Sequence, residues 1–208
     1  MSELTPAELF NKHAHTYSEK FMDVSQYADG LDIFCGYLPT DAVILDVACG
    51  PGNIARYIQD KMPMAMLTGI DMAPDMLDIA RTVVPTGKFL LMDCGEIGSL
   101  AQTYDGIVCA FLLPYLGKSN ALALVQACTD MLNRKGVLYL SFMEGANADS
   151  HYTTNSAGDT VFLNYHEVAY ITDVLTVGGC DIINSSRMPS PSNASVQTND
   201  VVLVAVKK

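Results

Sequence analysis

Leu45-Asp46-Val47-Ala48-Cys49-Gly50-Pro51-Gly52-Asn53 is the stretch on which the reading of this chain turns. It ends the run Ala42-Val43-Ile44-Leu45-Asp46-Val47, short, nearly continuously apolar and rich in β-branched residues. That is the pattern of a strand covered on both faces. After the glycines come Ile54, Tyr57, Ile58 and Met62, spaced as on one side of a helix. Strand, glycine turn and helix in this order form the ligand-facing corner of an open α/β sheet, where ligands lie beyond the carboxyl ends of the strands. Glycine lets the backbone approach such a ligand closely.

The flanking sequence repeats the alternation. Ala65 to Asp71, Phe89 to Met92, Gly106 to Phe111 and Val137 to Phe142 read as strands. Met76, Leu77, Ala80, Val83 and Val84 mark one intervening helix, and Leu122, Val125, Cys128, Met131 and Leu132 another, stopped by Arg134-Lys135-Gly136. This predicts βαβ units and a parallel sheet. Glu144 to Thr160 is polar and reads as a loop over the sheet's carboxyl edge. His166 to Val177 reads as a helix ended by Gly178-Gly179. Asp181 to Arg187 and Val201 to Val206 read as closing strands joined by a Ser/Pro/Asn-rich loop, Met188 to Asn199. Ahead of the sheet, Thr5-Pro6-Ala7-Glu8 is a capping box that starts a helix running to about Met22. A second helix spans Ser25 to Tyr37, stopped by Pro39.

Composition narrows the function classes. The chain has 208 residues, 50% hydrophobic and 17% charged, enough for one compact domain over 39–208 with a helical segment, 1–38, before it. A net charge of −11 repels phosphate backbones and anionic membranes, so neither nucleic acid nor membrane is an expected partner. The apolar run Ile107 to Leu116 is too short to span a bilayer, and Met1 to Pro6 lacks the features of a signal peptide, so a cytoplasmic location is expected. Six scattered cysteines form no Cys-x-x-Cys pair and read as reduced thiols. His13 and His15 point to different faces of a helix, so no metal site is expected; each reads as a surface or capping residue.

Three acids mark the carboxyl edge. Asp71 ends the second strand about 20 residues beyond Gly50, placed to accept both hydrogen bonds of a ribose diol. Asp93 ends the third strand, where it can accept from an adenine amino group; taken singly, either acid is also a plausible turn or cap residue. Gly50-x-Gly52-x-x-Ala55 also fits the looser nicotinamide-dinucleotide pattern. Against that stand Asp46, which suits a cationic ligand better than a pyrophosphate, and Pro51, which removes a backbone donor.

Asp46 to Gly52 resembles motif I of class I S-adenosylmethionine-dependent methyltransferases. Gly69-Ile70-Asp71-Met72-Ala73-Pro74-Asp75-Met76-Leu77, Met92-Asp93-Cys94 and Tyr104-Asp105-Gly106-Ile107-Val108 resemble their next three motifs, in order. The resemblance covers about residues 40–208. It implies a Rossmann-like, mostly parallel seven-stranded sheet with helices on both faces and a reversed last strand inserted near the edge. Residues 1–38 would be a helical lid. Ala48, Cys49, Gly50 and Gly52 would line the methionine part of S-adenosylmethionine, and Asp46 would face its amino end. Asp71 would hold the ribose, and Met72, with Met76 in the same motif, would lie at the adenine. Asp93 and Cys94 would address the adenine edge, Ala110 and Phe111 would lie beside the sulfonium, and Tyr17 would approach from the lid.

The implied function is methyl transfer to a small-molecule acceptor, leaving S-adenosylhomocysteine. No base is assigned; Tyr115, His151 and Tyr152 are the candidates. The acceptor, and whether the chain is a monomer or a homodimer, stay open. An NAD(P)-dependent reductase and a non-catalytic S-adenosylmethionine-binding regulatory protein remain as alternatives.

Overall fold

A computed structural model describes residues 4–155, 157–192, 194 and 196–208. The first strands and helices alternate: β1 (Val43–Val47), α4 (Asn53–Lys61), β2 (Met66–Asp71), α5 (Pro74–Val83), β3 (Lys88–Leu91), β4 (Tyr104–Ala110), α6 (Lys118–Met131) and β5 (Leu132–Glu144). A two-stranded ribbon, β6 (His151–Thr154) and β7 (Thr160–Leu163), comes next. The chain then runs through α7 (Val168–Val177), β8 (Cys180–Pro189) and β9 (Asn199–Lys207). The seven-stranded sheet has the order β3-β2-β1-β4-β5-β9-β8. Pairings among β1 to β5 are parallel, and β9 lies antiparallel between β5 and β8. The expected Rossmann-like sheet with a reversed, inserted last strand is the one observed.

Alternation along each strand explains two cores. Leu45, Val47, Ile107, Cys109, Leu138 and Leu140 face one layer with α6 and α7. Ile44, Val108, Val137 and Tyr139 face the other, with α4 and α5. Both faces are dry, which is why the strands read as continuous apolar runs.

The N-terminal segment contains α1 (Pro6–Lys12), α2 (Ala14–Phe21) and α3 (Ala28–Gly36). The capping box forms as expected, with Glu8 N–H donating to Thr5 Oγ1 and Thr5 N–H donating to Glu8 Oε2. The single helix expected to Met22 is instead broken at His13, whose backbone has left α-helical geometry. The helix expected over Ser25 to Tyr37 begins with a 3-10 turn, Ser25–Tyr27. Its α-helical part, α3, belongs to the sheet's own core, with Leu31 and Phe34 fully buried beside Val202 and Val204. α1 and α2 lie over the sheet's carboxyl edge, packing Ala14, Phe10 and Tyr17 on Ala73 and Met76.

Three further expectations change. The polar stretch 144–160 is partly ordered as β6 and β7, because Val161 and Leu163 find an apolar partner in Leu9 of α1. β5 starts at Leu132, and Arg134-Lys135-Gly136 forms an irregularity within it, with Lys135 left-handed at φ 67°. β8 and β9 extend inward from Met188 and Asn199, so the connecting loop is shorter than expected; Asn193 and Ser195 of that loop lie outside the described residues.

Gly52 leads into α4 and packs against α5. Its φ is +81°, and an added Cβ would sit 3.2 Å from the Ala80 backbone of α5. Gly52→Ala is expected to destabilise the fold by about 1–2 kcal/mol from left-handed strain alone, and by more from the Ala80 contact. Urea denaturation of the variant checks this; an unchanged midpoint would mean that the turn can open without cost.

Candidate active site

The strand order reverses between β1 and β4, so their carboxyl ends diverge into a crevice. Both strands end in a left-handed non-glycine residue, Ala48 at φ 56° and Phe111 at φ 53°. Such strain collects where a surrounding structure over-determines the backbone, commonly at ligand sites. Two adjoining cavities open there, of about 540 and 130 Å³. Tyr17, Ala48, Gly50, Ala110, Phe111 and Tyr115 line both.

Asp71 organises the smaller cavity. Its Oδ2 accepts from the Gly50 N–H at 2.9 Å, fixing the glycine turn. Its Oδ1 accepts from the Ala73 N–H at 2.8 Å, fixing the entry to α5. Each oxygen keeps a second lone pair, so the carboxylate can still accept two ligand hydrogen bonds. Burial raises its pKa, opposed by those backbone donors. Met72, Met76 and Cys94, all expected at the adenine, line this cavity as well.

Asp46 dominates the larger cavity. It is 1% exposed, and its Oδ2 has no hydrogen-bond partner among the described residues. Burial, with the charge of Asp71 added, pushes its pKa up to about 8. A buried carboxyl left unpaired is costly unless a ligand satisfies it. Cys49, also buried and with its thiol pKa raised by burial, lies beside it.

Four sequence candidates lie elsewhere. Gly52 lines neither cavity; its missing side chain makes room for α5. Asp93 is exposed and caps a 3-10 helix through Gly95 N–H at 2.7 Å, the turn role weighed for it singly. His151 and Tyr152 are exposed on the ribbon and line neither cavity, whereas their neighbour Thr153 does. Of the three candidate bases only Tyr115 reaches the site, and burial raises its pKa. Tyr17, from α2, is pushed up to about 12 by burial.

Several lining residues gave no local sequence signal. His13 Nε2 lies 2.6 Å from Asp159 Oδ2, and Lys12 Nζ lies 2.8 Å from Asp159 Oδ1. These contacts hold the Asp159 carboxyl below its ordinary pKa, Lys12 first. Tyr27 Oη donates to the buried Asp200 at 2.7 Å. All of these partners are more than a hundred residues apart in the chain, so no local pattern reports them.

A group whose native pKa is raised stabilises fully below the unfolded-chain value and loses that contribution as pH rises toward the native value. For Asp46 the ligand-free protein should therefore lose stability between about pH 4 and about 8. Asp46→Asn should flatten that part of the profile and leave the variant at least as stable as the parent at the alkaline end. Thermal melts of both proteins across the range test it; parallel profiles would show that Asp46 titrates normally.

Residues 44–136 match the family model described as a methyltransferase domain. Trans-aconitate 2-methyltransferase of Escherichia coli K12 is 40% identical over 148 residues, covering 67% of this chain and 56% of the relative. Demethylmenaquinone methyltransferase of Thermotoga maritima is 31% identical over 97 residues, covering 47% and 42%. The chain spans about half the length of the curated relatives it matches. The crystal structure of an S-adenosylmethionine-dependent methyltransferase from Clostridium acetobutylicum shares the fold, with a TM-score of 0.70 at 17% identity over 96% of this chain and 99% of that one. Residues 44–136 of this chain thus resemble a methyltransferase domain, and the chain has the fold of a solved S-adenosylmethionine-dependent methyltransferase.

Proposed function

We propose that this protein transfers the methyl group of S-adenosylmethionine to a small-molecule acceptor. The observation that carries the reading is the buried Asp46 carboxyl at the crevice between β1 and β4, whose Oδ2 has no hydrogen-bond partner among the described residues. It fits an ammonium group and would repel a pyrophosphate, which weighs against a nicotinamide cofactor. The cofactor supplies an electrophilic methyl on a sulfonium and departs as a neutral thioether.

The chain's residues do the rest. Asp46 would hold the amino group. Gly50, with its side-chain position open, would let the backbone approach the methionine part. Asp71 would hold the ribose, with Met72, Met76 and Cys94 around the adenine. Tyr17, Phe111 and Tyr115 would surround the reacting centre, excluding water and aligning the acceptor. We assign α1 and α2 the role of lid. Asn11 joins α1 to the start of α5 through the Asp75 N–H at 2.9 Å, and Lys12 joins it to Asp159 beside the ribbon. The whole 1–38 segment does not share that role, because α3 is needed by the core.

Four experiments test this reading. Calorimetric titration should show S-adenosylhomocysteine binding and no binding of NAD or NADP. At pH 7, near one proton should be released per cofactor bound, because an ammonium partner ionises an Asp46 whose free pKa is about 8. Buffers of different ionisation enthalpy measure that number, and a value of zero would remove Asp46 from the amino subsite. Asp71→Ala should weaken S-adenosylhomocysteine binding by roughly 2–4 kcal/mol. It should also lower stability by about 1–3 kcal/mol, since the Gly50 and Ala73 N–H groups lose their acceptor. Unchanged affinity in the folded variant would reduce Asp71 to a turn residue. Removing residues 1–22 should abolish turnover while leaving cofactor binding measurable.

A further inference from the structure

Part of the lining of the larger cavity is distinctive. Phe21 and Tyr27 line the cavity, with Lys20 Nζ 5.4 Å from the Phe21 ring, while Asp23, Asp159 and Asp200 supply carboxylates. Against them stand Lys20, His13 and Lys12, the last paired with Asp159, and no arginine lines the cavity among the described residues. None of the undescribed residues is an arginine either. Carboxylate recognition favours the bidentate guanidinium fork, which is missing here. Ring faces beside carboxylates instead attract an organic cation.

His13 adds chemistry to that wall. Its Nε2 is engaged by Asp159 at 2.6 Å, while its Nδ1 makes no hydrogen bond among the described residues. The side chain is 26% exposed and lies in the cavity lining. Asn155 Oδ1 accepts from the Asp159 N–H at 3.0 Å, steadying the segment that carries the carboxylate. A histidine held through one ring nitrogen by a carboxylate, its other nitrogen making no hydrogen bond among the described residues and its side chain in a cavity lining, is arranged to accept a proton.

We propose that the acceptor is an amine admitted as its ammonium form, and that His13, held by Asp159, takes its proton. This rests on the methyl-transfer reading above. The ammonium gives one proton to the open nitrogen of His13, and Asp159 stabilises the imidazolium. The freed lone pair forms the carbon–nitrogen bond as the carbon–sulfur bond breaks. The breaking bond's electron pair stays on the sulfur of the thioether, and the positive charge passes from sulfonium to methylated ammonium. The proton on His13 then returns to water. Asp159 is a positioning residue in this scheme, and His13 a catalytic one.

The test uses the full chain saturated with S-adenosylhomocysteine and three probes: tyramine, 4-hydroxyphenylacetate and trans-aconitate. The first two differ chiefly in the sign of one charge. Tyramine should bind at least about tenfold more tightly than either carboxylate, from cation–ring and carboxylate attraction together. Tighter binding of a carboxylate, or no binding of tyramine, overturns the amine assignment. Failure of S-adenosylhomocysteine itself to bind would instead overturn the methyltransferase reading. With S-adenosylmethionine and tyramine, His13→Gln should lower kcat about a hundredfold while leaving tyramine affinity within about threefold. Undiminished kcat in that variant removes His13 from the proton transfer.

Discussion

The double pairing of β1 sets the geometry of everything around it. β1 is hydrogen-bonded to β2 on one edge and to β4 on the other, all parallel. Chain leaving β1 goes to α4 on one face, while chain leaving β4 goes toward α6 on the opposite face. The two departures open the crevice between Ala48 and Phe111, and both residues adopt left-handed backbone to make them. The site is therefore a consequence of strand order, and the glycine turn only shapes it.

Within that crevice two carboxylates behave differently because their environments differ. Asp71 is exhausted by neither of its backbone bonds, yet those bonds tie two helix entries to one side chain. Asp46 has no such compensation, and burial keeps its proton on near neutral pH. Asp46 Oδ2 is buried without a hydrogen-bond partner among the described residues, and under the proposed reading a cationic group of the cofactor would meet it. Stability is given up at the place where binding needs it.

The N-terminal helices gain their position from polar contacts at both ends of the cavity. Asn11 engages the start of α5, and Lys12 and His13 engage Asp159. Between these anchors, Phe10 stacks edge-on against Tyr17 at 5.4 Å and Tyr115 at 4.9 Å. The break at His13 lets one short segment do both: α1 reaches the ribbon while α2 turns its aromatic side into the crevice. The proposed lid and the position of His13 thus depend on the same few contacts.

The order of strands and helices, the glycine turn and the strand-end acids Asp46 and Asp71 were all legible in the amino-acid sequence. They follow from periodicity and from residues whose conformational roles are local, such as Gly50 before Pro51. The same local reading erred where a residue's role depends on what lies opposite. Gly52 turned out to serve α5, Asp93 a neighbouring turn, and His151 and Tyr152 the outside of a ribbon. The polar stretch 144–160 gave no strand signal, because Val161 and Leu163 are ordered by Leu9 of α1. His13 read as a surface or capping residue, and only the folded chain brings Asp159 to it across an interval of 146 residues. Hydrophobic spacing determines elements and their order. Which side chains share a cavity is decided by long-range packing, which has no local trace in the sequence.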